Sequence, residues 1–247
     1  MPINLYYMLE SPPCRTVLMV AKQLDIQLTL HSIDLTKDEH LTQEFAQMNP
    51  CRLVPTLVDK DGDGGDGNGG NGFKLWESRA IVTYLVNKYR PNHPLYPVAV
   101  QTRATIDQFL QFDLATLYKS ITDYVGPIFF GGELEEAKHI KLKETLDLFD
   151  SILGGGEGGG GGKHGFVCSG NGYDQLTVAD ISMAAGLTLL EPIDYSLDQW
   201  TNIMKWLANV KQELNSNDNN CYDEINAKAI ENTRQYISYL KTKKIND

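Results

Sequence analysis

Ile3-Asn4-Leu5-Tyr6-Tyr7-Met8-Leu9-Glu10-Ser11-Pro12-Pro13-Cys14-Arg15 is the stretch that decides the fold. Ile3, Leu5 and Tyr7 alternate with residues facing the other way, the period of a short strand. Pro12-Pro13 then opens a helix running through Leu24, since proline is tolerated in a first turn whose N–H groups lack intrahelical partners. Leu28 to Ile33 reads as a second strand. Strand, helix and strand in so short a span imply a right-handed parallel βαβ unit.

Working outward, Glu39 to Gln47 is a polar helical stretch, and Leu53 to Val58 reads as a strand entered through Pro55. Phe73 to Trp76 fits as its hairpin partner. Ser78 to Tyr89 is helical, with Ile81, Val82, Leu85 and Val86 on one face. Residues 1–90 therefore read as an α/β unit, βαβ then ββα, of thioredoxin-like size. Residues 91–97 form a proline-punctuated linker, and residues 98–247 read as all-α. The expected helices are Val98 to Tyr124, Glu133 to Leu153, Val178 to Leu190, Trp200 to Leu214 and Tyr222 to Leu240. Thr177-Val178-Ala179-Asp180 has the form of a capping box with Asp in the reciprocal place.

Two low-complexity insertions interrupt this pattern, at residues 61–72 and 154–162. Neither holds enough apolar surface to offset its ordering entropy, so both are expected to be mobile loops. Asp59, Asp61, Asp63 and Gly64 match the opening of a calcium-binding loop. The match then fails, with Asp66 at the apolar eighth position and Gly70 where a bidentate Glu belongs. No metal site is expected.

The formal net charge of −10 argues against nucleic acid or an anionic membrane as partner, because binding phosphates needs a basic surface. No stretch approaches membrane-spanning length, and Met1-Pro2-Ile3-Asn4 has no basic leader, which points to the cytoplasm. Cys14, Cys51, Cys168 and Cys221 lie far apart, without metal-ligand or disulfide-scaffold spacing, and read as reduced thiols.

Three short pieces carry chemistry, and together they read as one small-ligand site. Ser11 precedes a helix, so its hydroxyl and the positive helix end could favour a thiolate over a thiol. Val54-Pro55-Thr56 offers a backbone edge to an extended peptide if the X-Pro bond is cis, an isomer that the sequence leaves open. Glu77-Ser78-Arg79 starts a helix suited to a carboxylate. Taken singly, each is also explained by a helix cap, an edge-strand proline or a first-turn acid.

In order, these pieces resemble the cytosolic glutathione S-transferases, in their delta-like serine class. The resemblance covers both units. It is carried by Tyr6-Tyr7-Met8 before Ser11-Pro12-Pro13-Cys14-Arg15, by Asn49-Pro50 before Val54-Pro55-Thr56-Leu57, by Leu75-Trp76-Glu77-Ser78-Arg79-Ala80-Ile81, and by Leu176-Thr177-Val178-Ala179-Asp180.

The resemblance implies that Ser11 is the catalytic residue activating the sulfur of glutathione, the co-substrate. Tyr7 is the rival donor, used at this place by other classes. Ser11-Pro12-Pro13-Cys14 echoes a Cys-x-x-Cys redox motif, but with serine in the attacking place, and Cys14 reads as a packed residue. Val54 and Pro55 are implied to hold the cysteinyl part. Glu77 and Ser78 are implied for the γ-glutamyl part, with Arg79 adding positive charge. His40 is implied at the glycine carboxylate. Arg52 replaces a histidine usual in the class, and a guanidinium holds a carboxylate without depending on pH.

An apolar wall for hydrophobic electrophiles is expected from Met8, Leu9, Pro13, Tyr118, Ile121, Tyr124 and Phe129. Leu9-Glu10 departs from the Pro-Gly usual before the serine. The implied reaction is thioether formation by attack of glutathione thiolate on an apolar electrophile, in detoxification, by a dimeric protein. The alternatives are glutathione-dependent hydroperoxide reduction, ligandin-type binding of apolar compounds, and a structural module of translation complexes.

Overall fold

β1 (Ile3–Tyr7) lies between β2 (Leu28–Ser32) and β3 (Thr56–Asp59), and β4 (Phe73–Trp76) completes the sheet in the order β2-β1-β3-β4. The computed structural model that gives this arrangement describes residues 3–60, 72–155, 165–169, 173–216 and 219–246. β1 and β2 run parallel, with Ile3 opposite Leu28, and α1 (Pro12–Gln23) connects them. β3 runs antiparallel to both neighbours, with Leu57 opposite Leu5 and Thr56 opposite Trp76.

The alternation in β1 sorts its side chains between two faces. Ile3 and Leu5 enter the main core with Val17 and Val20 of α1 and with Ile81 and Leu85 of α3 (Ser78–Tyr89). Tyr6, on the other face, meets Phe45 of α2 (Gln43–Met48) edge-on, with ring centroids 6.2 Å apart. The sheet is thereby covered on both sides.

Among the described residues six α-helices follow: α4 (Val100–Phe112), α5 (Tyr118–Val125), α6 (Glu136–Leu153), α7 (Val178–Leu187), α8 (Thr201–Leu214) and α9 (Cys221–Asn246). α7 is buried along its whole length and starts with the expected capping box between Thr177 and Asp180. The Asp180 carboxylate also accepts from Val167 N–H at 3.0 Å and from Trp206 Nε1 at 2.8 Å, so the cap ties α8 to α7. α1 packs on α3 and also on α7 and α9, which joins the sheet unit to the helical one. Leu95 and Tyr96 are buried, and Leu95 O accepts from Val178 N–H at 3.0 Å.

The β3–β4 hairpin is pinned by Asp59, fully buried at the end of β3. Its carboxylate accepts from Tyr84 at 2.6 Å, from Lys88 at 2.8 Å and from the Tyr89 hydroxyl. Gly72, at φ +73°, closes the hairpin where a Cβ would come within 2.9 Å of Asp59 O. The calcium-like match and the expected mobile loops fall mostly on residues 61–71 and 156–164, outside the described residues.

Five elements differ from expectation. The helix expected over Glu39–Gln47 is split into a 3-10 turn, Glu39–Leu41, and α2, Gln43–Met48, because Thr42 is extended and caps α2 by accepting from Phe45 N–H. The helix expected over Val98–Tyr124 is broken by a wide π turn at Asp113–Leu117. The Asp113 carboxylate there is engaged by Arg79 and Ser182, the kind of side-chain demand that inserts a residue into a helical ladder. The strand expected from Leu53 begins only at Thr56, because buried Asn49 curls the preceding chain. Its Nδ2 donates to Leu53 O and to Thr56 Oγ1, each at 2.9 Å, while its Oδ1 accepts from Cys51 N–H. α7 ends at Leu187 and tightens into a 3-10 segment, Thr188–Ile193, holding Pro192. α9 is longer than expected, reaching Asn246.

Among the described residues no helix is long and apolar enough to cross a membrane, and no group of three or more His, Cys, Asp or Glu side chains could hold a metal ion. Cys14, Cys168 and Cys221 are buried thiols, and Cys51 is exposed.

Candidate active site

A cleft of about 360 Å³ opens beside the C-terminal side of the sheet, between it and the π turn. From the sheet unit it takes Ser11, Pro13, His40, Arg52, Val54, Pro55, Glu77, Ser78 and Arg79. From the helical unit it takes Leu114 and Tyr118.

Ser11 is the N-cap of α1, in extended conformation, yet its hydroxyl makes no cap bond. The reason is local. A cap side chain accepts from the second or third N–H of its helix. Here the second residue is Pro13, which has none, and the third N–H, that of Cys14, goes to Ser11 O at 3.0 Å. The hydroxyl is left to face the cleft, with the Cys14 thiol below it. Burial pushes that thiol up to about 11, against the hydrogen bond from Ser11, so Cys14 stays neutral and inert.

Behind this turn, Arg15 is only 2% exposed. Its Nη1 donates to Leu9 O at 3.0 Å and to Glu10 O at 2.8 Å, and its Nη2 donates to Thr188 Oγ1 at 2.6 Å. Burial lowers its pKa to about 10, which still leaves a cation at neutral pH.

The Val54–Pro55 peptide bond is cis. Glu77 has φ +69° and ψ 106°, a sparsely populated conformation for a residue with a side chain, and it leads directly into α3. Its side chain is exposed, without a hydrogen bond to its own helix, beside the buried Ser78 at the first position of α3. His40 sits in the 3-10 turn Glu39–Leu41, with Nδ1 buried and unpartnered. Arg52 is exposed at the rim with φ +54°.

Arg79 is committed elsewhere. Its Nη2 and Nε donate to Asp113 Oδ2 at 2.6 and 3.1 Å, and the guanidinium lies 5.6 Å from the Tyr118 ring centroid. Burial pushes the Asp113 carboxyl up, opposed by Arg79 and by the Ser182 hydroxyl at 2.6 Å. Burial also pushes the Tyr118 phenol up to about 12.

Of the expected electrophile wall, Pro13 and Tyr118 reach the cleft and the others do not line it. Ile121 is wholly buried in the helical core, and Tyr124 is 7% exposed and stacks on His139 of α6 at 5.2 Å. An apolar stripe at helical spacing marks the side of a helix that packs, here against α6. Phe129 is packed against the same core. Met8 and Leu9 are half-buried in the turn, and the Leu9 carbonyl faces Arg15. Tyr7 also packs against the core, its carbonyl accepting from Ile33 N–H at 2.8 Å.

Five lining residues were not anticipated as such: Leu35, Asn49, Leu53, Trp76 and Leu114. Asn49 and Trp76 stand inside the motifs quoted above and could have been found from them. Leu114 is placed by the π turn, which leaves no mark in the sequence.

The family model for the glutathione S-transferase N-terminal domain matches residues 5–93. Glutathione S-transferase D7 of Anopheles gambiae is 34% identical over 228 residues, 92% of this chain and 93% of that protein. A Nilaparvata lugens delta-class glutathione transferase, solved in a characterisation of its catalytic site, superposes with a TM-score of 0.80 at 36% identity, over 97% of this chain and 100% of that one. The Bombyx mori glutathione transferase BmGSTD1, in complex with GTT, gives 0.80 at 35%, over 96% and 98%. Sequence and architecture agree across nearly the whole length: the chain belongs to the glutathione S-transferase family, in its delta class.

Proposed function

We propose that the protein conjugates glutathione to apolar electrophiles, with the Ser11 hydroxyl holding the sulfur as thiolate. The observation that carries this reading is the uncapped hydroxyl: two prolines and one backbone bond leave it no N–H of its own first turn to accept from, and its neighbour there is the buried, neutral Cys14 thiol. A thiol of ordinary pKa, about 8.5, is mostly protonated at neutral pH. A hydroxyl donor and the positive end of α1 both favour the charged form. Tyr7, turned into the core, is the poorer candidate.

The rest of the cleft suits the tripeptide. The exposed Glu77 carboxylate fits the γ-glutamyl ammonium, and Ser78 with the α3 N-terminus fits its carboxylate. The backbone of Val54, before cis-Pro55, fits the cysteinyl amide. His40 and Arg52 fit the glycine carboxylate. Arg79 contributes by fixing the start of α3 through Asp113. Pro13, Leu114 and Tyr118 supply the apolar side for the second substrate.

Family membership supports a cytoplasmic, homodimeric enzyme of detoxification, with 1–90 binding glutathione and 98–247 completing the electrophile side across the 91–97 linker. Chlorodinitrobenzene conjugation by Ser11→Ala and Tyr7→Phe tests the assignment. Losing one hydrogen bond to a charged sulfur, about 1.5–3 kcal/mol, predicts roughly a 10- to 100-fold drop for Ser11→Ala. Full activity in that variant, or an equal loss in Tyr7→Phe, overturns it.

A further inference from the structure

Glu10, directly before Ser11, carries a bond that no other residue of the turn makes. Its Oε1 accepts from Asn232 Nδ2 of α9 at 2.7 Å. The turn is closed by Ser11 N–H to Met8 O at 3.1 Å. Its next two carbonyls, Leu9 and Glu10, are both held by Arg15, which is anchored to Thr188. Two side-chain ties of this turn thus reach the helical unit, one through Arg15 to Thr188 and one directly to Asn232.

We propose that Glu10 and Asn232 form a strut through which α9 sets the position of the Ser11 hydroxyl, making both positioning residues for turnover. The proposal rests on Ser11 as thiol activator. A carboxylate and an amide donor give a charge-assisted bond, stronger than one between neutral groups. Its loss frees the residue next to Ser11 while Arg15 keeps the turn roughly in place. A hydroxyl displaced by a fraction of an ångström holds the sulfur less well. The tripeptide's other contacts, at Val54, Glu77 and Ser78, are on different segments and stay intact.

The test compares the full chain with Glu10→Ala, Asn232→Leu, their double variant and Ser11→Ala. Asn232→Asp is included because it differs little in size and remains informative if Asn232→Leu fails to fold. Tyr236→Phe is the control, removing a different α9 tie, its hydroxyl to Phe129 O at 3.4 Å. Ultraviolet titration of bound glutathione reads the thiol pKa, and kinetics separate kcat from KM for glutathione. Each strut variant should lower kcat by roughly 3- to 30-fold, a modest misplacement. Each should also raise the bound thiol pKa and leave KM for glutathione within about twofold. The double variant should lose no more than the worse single one. Unchanged kcat and thiol pKa in the strut variants, additive losses, or the same losses in Tyr236→Phe overturn the proposal. If Ser11→Ala raises the thiol pKa and Asn232→Leu does not, the strut alone fails. If Ser11→Ala leaves it unchanged, the thiolate reading itself fails.

Discussion

Arg79 and Asp113 form a buried ion pair between the two units, with Nη2 2.6 Å and Nε 3.1 Å from one carboxylate oxygen. Their side chains are 11% and 0% exposed. Removing one partner strands the other charge away from water, a cost of about 3–5 kcal/mol. Asp113→Ala should therefore lower the urea midpoint by that equivalent. A loss below about 1 kcal/mol would show that Arg79 finds water or another acceptor on relaxation.

Glu77 separates backbone strain from ligand binding. At φ +69° glycine is unstrained, whereas alanine is not. Glu77→Gly should match or exceed the parent in thermal midpoint, and Glu77→Ala should not gain. Both should weaken retention on immobilised glutathione, because both lose the carboxylate. Normal retention of either variant would remove Glu77 from the γ-glutamyl contact.

Ile121 and Leu114 lie one helical region apart and should respond in opposite ways. Ile121 is wholly buried, so Ile121→Ala should cost about 2–5 kcal/mol of stability with little change in electrophile preference. Leu114 is 41% exposed at the mouth of the cleft. Leu114→Ala should change KM across a series of apolar electrophiles and leave the thermal midpoint nearly unmoved. The reverse pattern would place Ile121 in the electrophile wall after all.

His93 gives a pH dependence of stability. Burial, and then the neighbouring Arg90, hold its imidazole below the ordinary 6.5. Its Nδ1 accepts from Leu95 N–H at 3.2 Å, which only the neutral ring can do. Below 6.5 the unfolded chain takes up a proton that the folded chain resists, so stability falls with falling pH until the lowered value is passed. Above that window the ring is neutral in both states and contributes no slope. The thermal midpoint of His93→Asn should fall less than the parent's between about pH 7 and about pH 5.5. Equal slopes would assign the acid loss to other groups.

The sheet unit was legible because its signals are local: alternation in Ile3–Tyr7, two prolines at the start of α1, and an apolar face on α3. The same holds for most of the cleft, since Ser11, Val54 and Glu77–Arg79 lie in short motifs at element ends. What was not legible depends on packing between distant segments. Arg15 stands in a quoted motif without a role assigned to it, and it is buried because three acceptors from two units surround it. Tyr124 reads as a cleft aromatic and is core, because α6 covers it. Leu114 reaches the cleft through an extra residue in a turn whose Asp113 answers to Arg79, 34 positions before that aspartate.

The Asp59 clamp has a practical consequence. Tyr84, Lys88 and Tyr89 hold one end of the hairpin to α3, and Asp59 pairs in register with Phe73 at the other. The two ends stay together whatever chain connects them, and closure entropy rises only slowly with the length of that connection. Residues 61–71 thus mark a natural splice port, where a tag or a small foreign domain could be grafted without disturbing the sheet.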